Sequence, residues 1–191
     1  MKYYALKDGF NKIILESWDE AKEVLKTLKS PKYKSFKTKE EAMAFLEGKE
    51  IEINYSIPTA YIDGSYDSKT ENYSFGGCLF IDGKILKFKK KYLKDEYSSF
   101  RNVAGEIKGA GFIINYAINH GIKDLNIYYD YLGIEKWYKG EWKAKTPIAI
   151  EYVNYANEAK KKINVNFFKI ESHTNNKYND LADELAKEAL K

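Results

Sequence analysis

The sequence predicts an α/β protein in two units, the second of which is a mixed β-sheet flanked by helices. Two observations predict this class. Strand-like runs alternate with helical patterns along the chain, and three consecutive strand-like runs begin near residue 59. With 44% hydrophobic and 31% charged residues over 191 positions, the chain has a globular composition, with room for one ordinary domain and one small domain.

The first unit is predicted to cover residues 1–47. KYYAL and KIILES flank the turn sequence DGF, which indicates a hairpin, and KYKSF is a further short strand. Capping-box signatures at Ser17 and Thr38 predict two helices, and Gly48 is suited to end the second. A small α/β domain with a three-stranded antiparallel sheet and two helices follows from this pattern, with residues 48–57 as a short linker.

The second unit is predicted to cover residues 58–191. Its strand-like segments are TAYIDGSY, YSFGGCLFI, KILKFKKKYL, LNIYYD and NVNFFKI. Helical patterns lie at about 102–119, across 131–162 and at 179–190. A meander followed by alternating strands and helices implies a five-stranded mixed sheet with helices against it.

Charge and cysteine content limit the possible functions. The net charge of +4 is small, so attraction to a polyanion depends on local lysine clusters such as those within residues 22–39 and 87–94. Cys78 is the only cysteine, which excludes disulfides within the chain and sites with several thiolates. No apolar run approaches the roughly 20 residues that span a bilayer. We expect a cytoplasmic protein with no membrane contact and no obligatory protein partner.

Four separated carboxylates are the most informative feature of the sequence: Asp63 in YIDGS, Glu106 in NVAGEIKGA, Asp130 in IYYD and Asp183 in NDLADELA. We expect each to lie at a strand end or on an exposed helix face, so that the fold can bring all four together. Crowded carboxylates repel unless divalent cations neutralise them. Hard oxygen ligands suit Mg2+ or Mn2+, and two such ions can flank a phosphodiester under attack by water. The pattern therefore predicts a nuclease.

The same motifs resemble those of type 1 ribonuclease H. YIDGS, GEIKGA, YYD and SHTNNKYNDLADELA have the order and approximate spacing of that family over nearly all of residues 58–191. KYYALKDG, SWDEAKEVL and KYKSFKTKEEAMAFL resemble the small viroplasmin-like domain that precedes many of these enzymes and binds RNA/DNA hybrids. The resemblance implies a ribonuclease H-like fold and an endoribonuclease that hydrolyses the RNA strand of such hybrids, leaving 3'-hydroxyl and 5'-phosphate ends.

Catalytic roles follow from the resemblance. It implies that Asp63 contacts both of two Mg2+ ions, with Mn2+ as a possible substitute. Asp183 would help to hold the ion that activates water, and Glu106 and Asp130 would hold the ion beside the leaving oxygen. His173, ten positions before Asp183, would assist water activation or product release.

Nucleic-acid contacts are predicted in both units. The resemblance places Asn102 at the sugar edge of the hybrid, with helix capping as the alternative role. Arg101, the only arginine, has a planar fork that suits a phosphate. In the small unit, Trp18 and Tyr33 match positions that pack on sugars of the DNA strand, and Lys34 matches a phosphate contact. Burial in the core of the small unit is the alternative for Trp18.

Two departures from the family weaken these expectations locally. The first hairpin, DGFNKIIL, has fewer basic residues than its relatives, and Ser35 stands where a second lysine is common. The segment WYKGEWKAKTP is short, where well-known bacterial enzymes have a basic protrusion. Its aromatic residues either pack within a loop or grip the DNA backbone. The tethered small unit is expected to compensate by raising the effective concentration of substrate.

Three other functions remain open at this level. The first is a hybrid-binding protein without catalysis, against which the intact set of four carboxylates argues. The second is a recombinase-like enzyme of the same fold that cuts DNA. The absence of a helix-turn-helix or zinc module from the sequence disfavours this reading. The third is a structural scaffold, which accounts only for the first unit.

Overall fold

The computed structural model describes residues 2–9, 11–36, 39–47, 56–170 and 176–191. The chain divides into two compact units, Met1–Asn54 and Tyr55–Lys191. Within the described ranges, each unit is built around its own β-sheet. The predicted helix signals Thr38 and Gly48 and most of the predicted linker lie outside the described residues.

The small unit contains a three-stranded antiparallel sheet and two helices, as predicted. Its elements are β1 (Tyr3–Asp8), β2 (Asn11–Leu15), α1 (Trp18–Thr27), β3 (Lys32–Phe36) and α2 (Lys39–Glu47). β1 is the central strand and pairs with β2 and β3. Ala5, Ala42 and Leu46 form a buried cluster between sheet and helix. The sheet therefore holds α2 against one face by apolar packing.

Helix α1 begins where Ser17 predicted it, but not by the predicted contact. Ser17 has the extended backbone of an N-cap residue, yet its side chain makes no capping hydrogen bond. The backbone carbonyl of Ser17 instead accepts from the N–H of Ala21 at 3.1 Å. The predicted boundary was right, and the predicted capping box was wrong.

The large unit contains a five-stranded mixed sheet with flanking helices, which confirms the predicted fold class. Its elements are β4 (Thr59–Tyr66), β5 (Tyr73–Ile81), β6 (Lys84–Tyr92), α3 (Asn102–Asn119), β7 (Asp124–Tyr129), α4 (Gly133–Lys139), α5 (Pro147–Ala159), β8 (Asn164–Lys169) and α6 (Lys177–Leu190). The strand order is β6-β5-β4-β7-β8. β4, β5 and β6 pair antiparallel, and β7 is parallel to both β4 and β8.

The centre of this sheet is apolar on both faces. β5 reads YSFGGCLFI and is buried along nearly its whole length, as expected of a strand covered by helices on each side. Cys78 is fully buried there as a packed core residue, and burial raises the pKa of its thiol to about 12. None of the helices in the described ranges is both long and apolar enough to cross a membrane.

Two glycines allow helix α3 to lie directly on the sheet. A Cβ atom at Gly64 of β4 would come within 2.1 Å of the Asn102 carbonyl oxygen. A Cβ atom at Gly105 of α3 would come within 1.9 Å of the Ser74 carbonyl oxygen. Backbone-to-backbone contact of this kind is possible only without side chains at both positions. The N-terminal turns of α3 are consequently fixed against β4 and β5.

Candidate functional site

Asp63 lies in the middle of β4 and not at a strand end, which corrects the sequence-based expectation. β4 runs parallel to β7, and Tyr61 pairs with Tyr128. Asp63 follows two residues later on β4, and Asp130 follows two residues later, directly after the end of β7, so the register brings the two carboxylates close together. Asp63 Oδ1 accepts a hydrogen bond from the N–H of Gly64 at 2.7 Å.

Glu106 is buried and only 1% exposed, although the sequence suggested an exposed helix face. The reason is the close contact of α3 with the sheet, which encloses this part of the helix. Glu106 Oε1 accepts hydrogen bonds from the N–H groups of Asp130 at 3.0 Å and Tyr131 at 3.1 Å. The carboxyl group is therefore tied to the end of β7, where Asp130 stands.

Asp183 reaches the site from α6, which packs on β4 and β5. Its Oδ2 accepts from Nζ of Lys187 at 2.6 Å, one helical turn later. Sequence reasoning missed Lys187, although opposite charges four residues apart on a helix are a visible pairing signal. The structure thus places the ammonium group of Lys187 beside one of the predicted carboxylates.

The carboxyl groups influence one another strongly. Burial, then the charge of Asp130, and further the charge of Asp183 raise the pKa of Asp63 to about 7, against 3.8 ordinarily. Burial, then the charge of Asp130 and contact with its side chain, raise the pKa of Glu106 well above its usual range. Because negative charge is disfavoured at both positions, a bound divalent cation would relieve a repulsion that the fold creates.

The four carboxylates nevertheless do not form a closed cage. Within the described ranges, no group of three or more His, Cys, Asp and Glu side chains already has the geometry of a metal site. Asp183 is turned to Lys187, and one oxygen of Glu106 is turned to backbone amides. The residue types fit a hard cation such as Mg2+, and Asp183 would have to turn from Lys187 to bind it.

Arg101 and Asn102 stand together at the start of α3, and both are exposed. Arg101 is the N-cap residue and makes no side-chain capping bond, while Asn102 is the first residue of the helix. The capping role considered for Asn102 is therefore not the one that it has. The Arg101 side chain and the positive end of the α3 helix dipole therefore stand together at the start of the helix that carries Glu106.

An aromatic surface is present on the small unit. Trp18 is 41% exposed and Tyr33 is 53% exposed, so Trp18 is not part of the core. Their ring centroids are 6.1 Å apart, and the ring of Tyr4, which sequence reasoning missed, lies 5.4 Å from that of Trp18. Lys34 follows Tyr33 on β3, with Nζ 5.9 Å from the Phe36 ring. Because successive side chains of a strand alternate between its faces, Lys34 points to the opposite face of β3 from Tyr33, so the structure does not bring the lysine together with the rings. The exposed rings by themselves make a surface that can pack on sugars and bases.

Of two further predicted features, the structure describes the aromatic segment WYKGEWKAKTP and not His173. Trp137 packs on Tyr131 at 5.7 Å and on Trp142 at 6.3 Å, so the WYKGEWKAKTP segment packs its own aromatic rings. Trp142 is also exposed. His173, the predicted proton-transfer residue, lies outside the described residues.

Comparison with family models finds two matches along the chain. Residues 2–46 match the model described as "Ribonuclease H1 N-terminal domain", and residues 56–191 match the model described as "RNase H". A search of curated proteins finds no match.

Comparison with solved structures finds the same fold. RNase H1 from the halophilic archaeon Halobacterium salinarum is 22% identical to this chain, with a TM-score of 0.58. The aligned region covers 71% of this chain and 98% of the archaeal one. The N-terminal RNase H domain of a Mycobacterium tuberculosis protein is 17% identical, with 70% and 98% covered and a TM-score of 0.58. LC11-RNase H1 in complex with an RNA/DNA hybrid is 17% identical, with 70% and 99% covered and a TM-score of 0.55.

Proposed function

Because the chain belongs to the ribonuclease H family, we propose that it is an endoribonuclease that hydrolyses the RNA strand of RNA/DNA hybrids. The gathering of Asp63, Glu106, Asp130 and Asp183 at the junction of β4, β7, α3 and α6 is the main support. One similar structure is a ribonuclease H1 in complex with an RNA/DNA hybrid, which supports the same substrate class. Products with 3'-hydroxyl and 5'-phosphate ends are part of the proposal.

The four carboxylates fit a pair of Mg2+ ions, with Mn2+ as a substitute, because all their donor atoms are hard oxygens. When bound, two such cations would lower the pKa of the attacking water and stabilise charge on the entering and leaving oxygens. Asp63 is suited to be the ligand that both cations would share, since the charges of Asp130 and Asp183 both act on its carboxyl group. Glu106 and Asp130 would then hold one cation, and Asp183 would help to hold the other.

The remaining residues orient these groups. Two backbone N–H groups fix one oxygen of Glu106 before substrate binds. The side chain would therefore lose less conformational entropy when the reactive complex forms. Lys187 neutralises part of the negative charge around Asp183 before cations bind. We assign proton transfer or product release to His173, because an imidazole has an ordinary pKa near neutrality.

Recognition of the hybrid would use the start of α3. The Arg101 guanidinium and the positive end of the helix dipole suit a phosphate of the duplex. The Asn102 amide suits the sugar edge, where the RNA 2'-hydroxyl both donates and accepts hydrogen bonds. In the small unit, Trp18 and Tyr33 would pack on the DNA strand and Lys34 would pair with a phosphate.

A strand-specific cleavage assay tests the proposal. An RNA/DNA hybrid labelled on each strand is incubated with the enzyme and Mg2+ or Mn2+, and wild type is compared with Asp130→Asn. We expect the wild type to cut only the RNA strand, and the variant to lose activity by about 1,000-fold or more. Asp82→Asn, which changes an exposed carboxylate in the β5–β6 turn, is the matched control and should retain full activity.

Other outcomes would contradict the proposal in distinguishable ways. Cutting of the DNA strand would favour the DNA-cutting alternative. Binding of the hybrid without cleavage in either cation would favour a binding protein. Equal cutting of double-stranded RNA, or full activity of Asp130→Asn, would reject the assigned substrate or the assigned site.

A further inference from the structure

The turn before α3 holds Arg101 in an unusual backbone conformation. Its φ is 54° and its ψ is −133°, a combination that L-residues with a side chain rarely adopt and that glycine adopts readily. Arg101 is the only arginine in the sequence, and its side chain is exposed. The backbone at Arg101 is therefore strained, and this strained residue carries a planar cationic side chain at the start of α3.

A network centred on Asp95 fixes this turn. Asp95 Oδ2 accepts from the Tyr73 hydroxyl at 2.8 Å, and Oδ1 accepts from the Tyr97 N–H at 2.8 Å. The Asp95 N–H donates to Oγ of Ser98 at 3.0 Å. The Ser98 carbonyl oxygen accepts from the N–H of Arg101 at 3.0 Å. Three hydrogen bonds, joined through the covalent structure of Asp95 and Ser98, therefore link Tyr73 to Arg101.

The far end of this path is anchored in the core. Tyr73 lies on β5, is fully buried, and stacks on Tyr92 with ring centroids 5.0 Å apart and planes 7° apart. Burial, followed by the bond to Asp95, raises the pKa of the Tyr73 hydroxyl, which therefore stays a hydrogen-bond donor. The next residue on β5, Ser74, is the contact point of Gly105. The same strand thus positions both the turn and helix α3.

We propose that Tyr73 and Asp95 are positioning residues for substrate: they hold Arg101 in the conformation from which its guanidinium binds a phosphate of the hybrid. This inference rests on the proposed function and deepens it. A hydroxyl with no role in substrate binding would influence only folding. A hydroxyl that orients Arg101 influences substrate affinity, and does so only while the arginine is present.

Steady-state kinetics of the enzyme with both units present separate these two roles. We expect Tyr73→Phe to raise KM for the hybrid about three- to tenfold, which is the range for the net loss of one typical hydrogen bond, with kcat nearly unchanged. Tyr92→Phe is the matched control. It removes a hydroxyl that makes no hydrogen bond within the described part of the chain, from the ring that stacks on Tyr73, and should leave KM unchanged. If Tyr73→Phe folds poorly, Asp95→Ala replaces it as the test. This variant removes the exposed partner of the same hydrogen bond and should give the same rise in KM.

A double-mutant cycle with Arg101→Ala tests whether the effect passes through the arginine. We expect Tyr73→Phe to have almost no further effect on KM in the Arg101→Ala background. Thermal unfolding adds a readout without substrate. Arg101→Gly should unfold at a higher temperature than Arg101→Ala, because glycine removes the backbone strain, although both should bind the hybrid equally weakly.

Three results would overturn the inference: an unchanged KM in both Tyr73→Phe and Asp95→Ala, the same rise in KM with and without Arg101, or equal unfolding temperatures for Arg101→Gly and Arg101→Ala. A wild-type enzyme that cuts no hybrid is a different failure. It would reject the proposed function, while the comparison of unfolding temperatures would still test the strain at Arg101.

Discussion

Nζ of Lys187 lies 2.6 Å from Oδ2 of Asp183, one helical turn apart on α6. The hydrogen bond to Asp183 raises the pKa of Lys187, and the charge of Asp63 adds to this. The ammonium group therefore stands within the field of two proposed cation ligands. A divalent cation that binds Asp183 has to displace this internal charge.

We accordingly expect Lys187→Met to lower the Mg2+ concentration required for half-maximal cleavage. The side chains of Lys187 and Asp183 are 63% and 36% exposed, and exposed ion pairs contribute little, so the expected change is only about two- to fivefold. Initial cleavage rates as a function of Mg2+ measure it. Lys89→Met breaks a similar pair with Glu188 and should leave the requirement unchanged. A higher requirement in Lys187→Met would show that the lysine assists cation binding.

Asp63 makes the stability of the protein without metal depend on pH. Its pKa is about 7 in the folded protein against 3.8 ordinarily, so the folded state holds this proton more tightly than the unfolded state. The resulting stability is complete below the ordinary value and is lost as pH rises through the raised one. In EDTA, we expect the wild-type Tm to fall between about pH 5 and about pH 8, and that of Asp63→Asn to fall less.

Asp67→Asn is the control for this experiment. A hydrogen bond from Thr70 lowers the pKa of Asp67, so its contribution to stability is lost only in more acidic solution. The variant should therefore keep the wild-type dependence over the same pH range. Added Mg2+ should reduce the fall in wild type and not in Asp63→Asn. Parallel pH curves for wild type and Asp63→Asn would contradict the assigned cause.

Local patterns were sufficient to predict the elements of both sheets. The helix at α3 was predicted at its observed bounds, because its apolar residues recur with helical period and Gly121 follows its end with φ at +71°. The last helix begins two residues earlier than predicted, at Lys177, where the Asn176 side chain caps it. Such signals lie within a few residues of the helix boundary that they determine, so they can be recognised from the local sequence alone.

The environment of the site was less predictable, because it depends on contacts between distant segments. Asp63 lies inside a strand, since β4 continues to Tyr66 by pairing with β5. Glu106 is buried because Gly64 and Gly105 admit backbone contact between sheet and helix. The bond between Tyr73 and Asp95 joins residues 22 positions apart, and no periodic pattern indicates it. Residue types thus predicted the chemistry, while burial and orientation required the fold.

The aromatic surface of the small unit should contribute to affinity and not to chemistry. We expect Trp18→Ala in the protein with both units present to raise KM for the hybrid about fivefold or more, because ring stacking on a nucleotide is worth about 1–3 kcal/mol. The value of kcat should stay close to that of wild type, since Trp18 belongs to a different compact unit from the carboxylates. Met43→Ala, at another exposed apolar residue of the same unit, is the control and should leave KM unchanged. Equal effects of both variants would indicate a general loss of folding.

Two glycines on helix α3 provide a matched pair for the contact between helix and sheet. A Cβ atom at Gly105 would lie 1.9 Å from the Ser74 carbonyl oxygen, whereas one at Gly111 would meet nothing within 4 Å. We expect Gly105→Ala to cost about 3 kcal/mol or more and to lower kcat, because α3 must move and carries Glu106 with it. Gly111→Ala should stabilise the protein by about 0.5–1 kcal/mol through helix propensity and keep full activity. Chemical denaturation and the cleavage assay measure both quantities, and similar stability of the two variants would mean that α3 does not touch the sheet at Gly105.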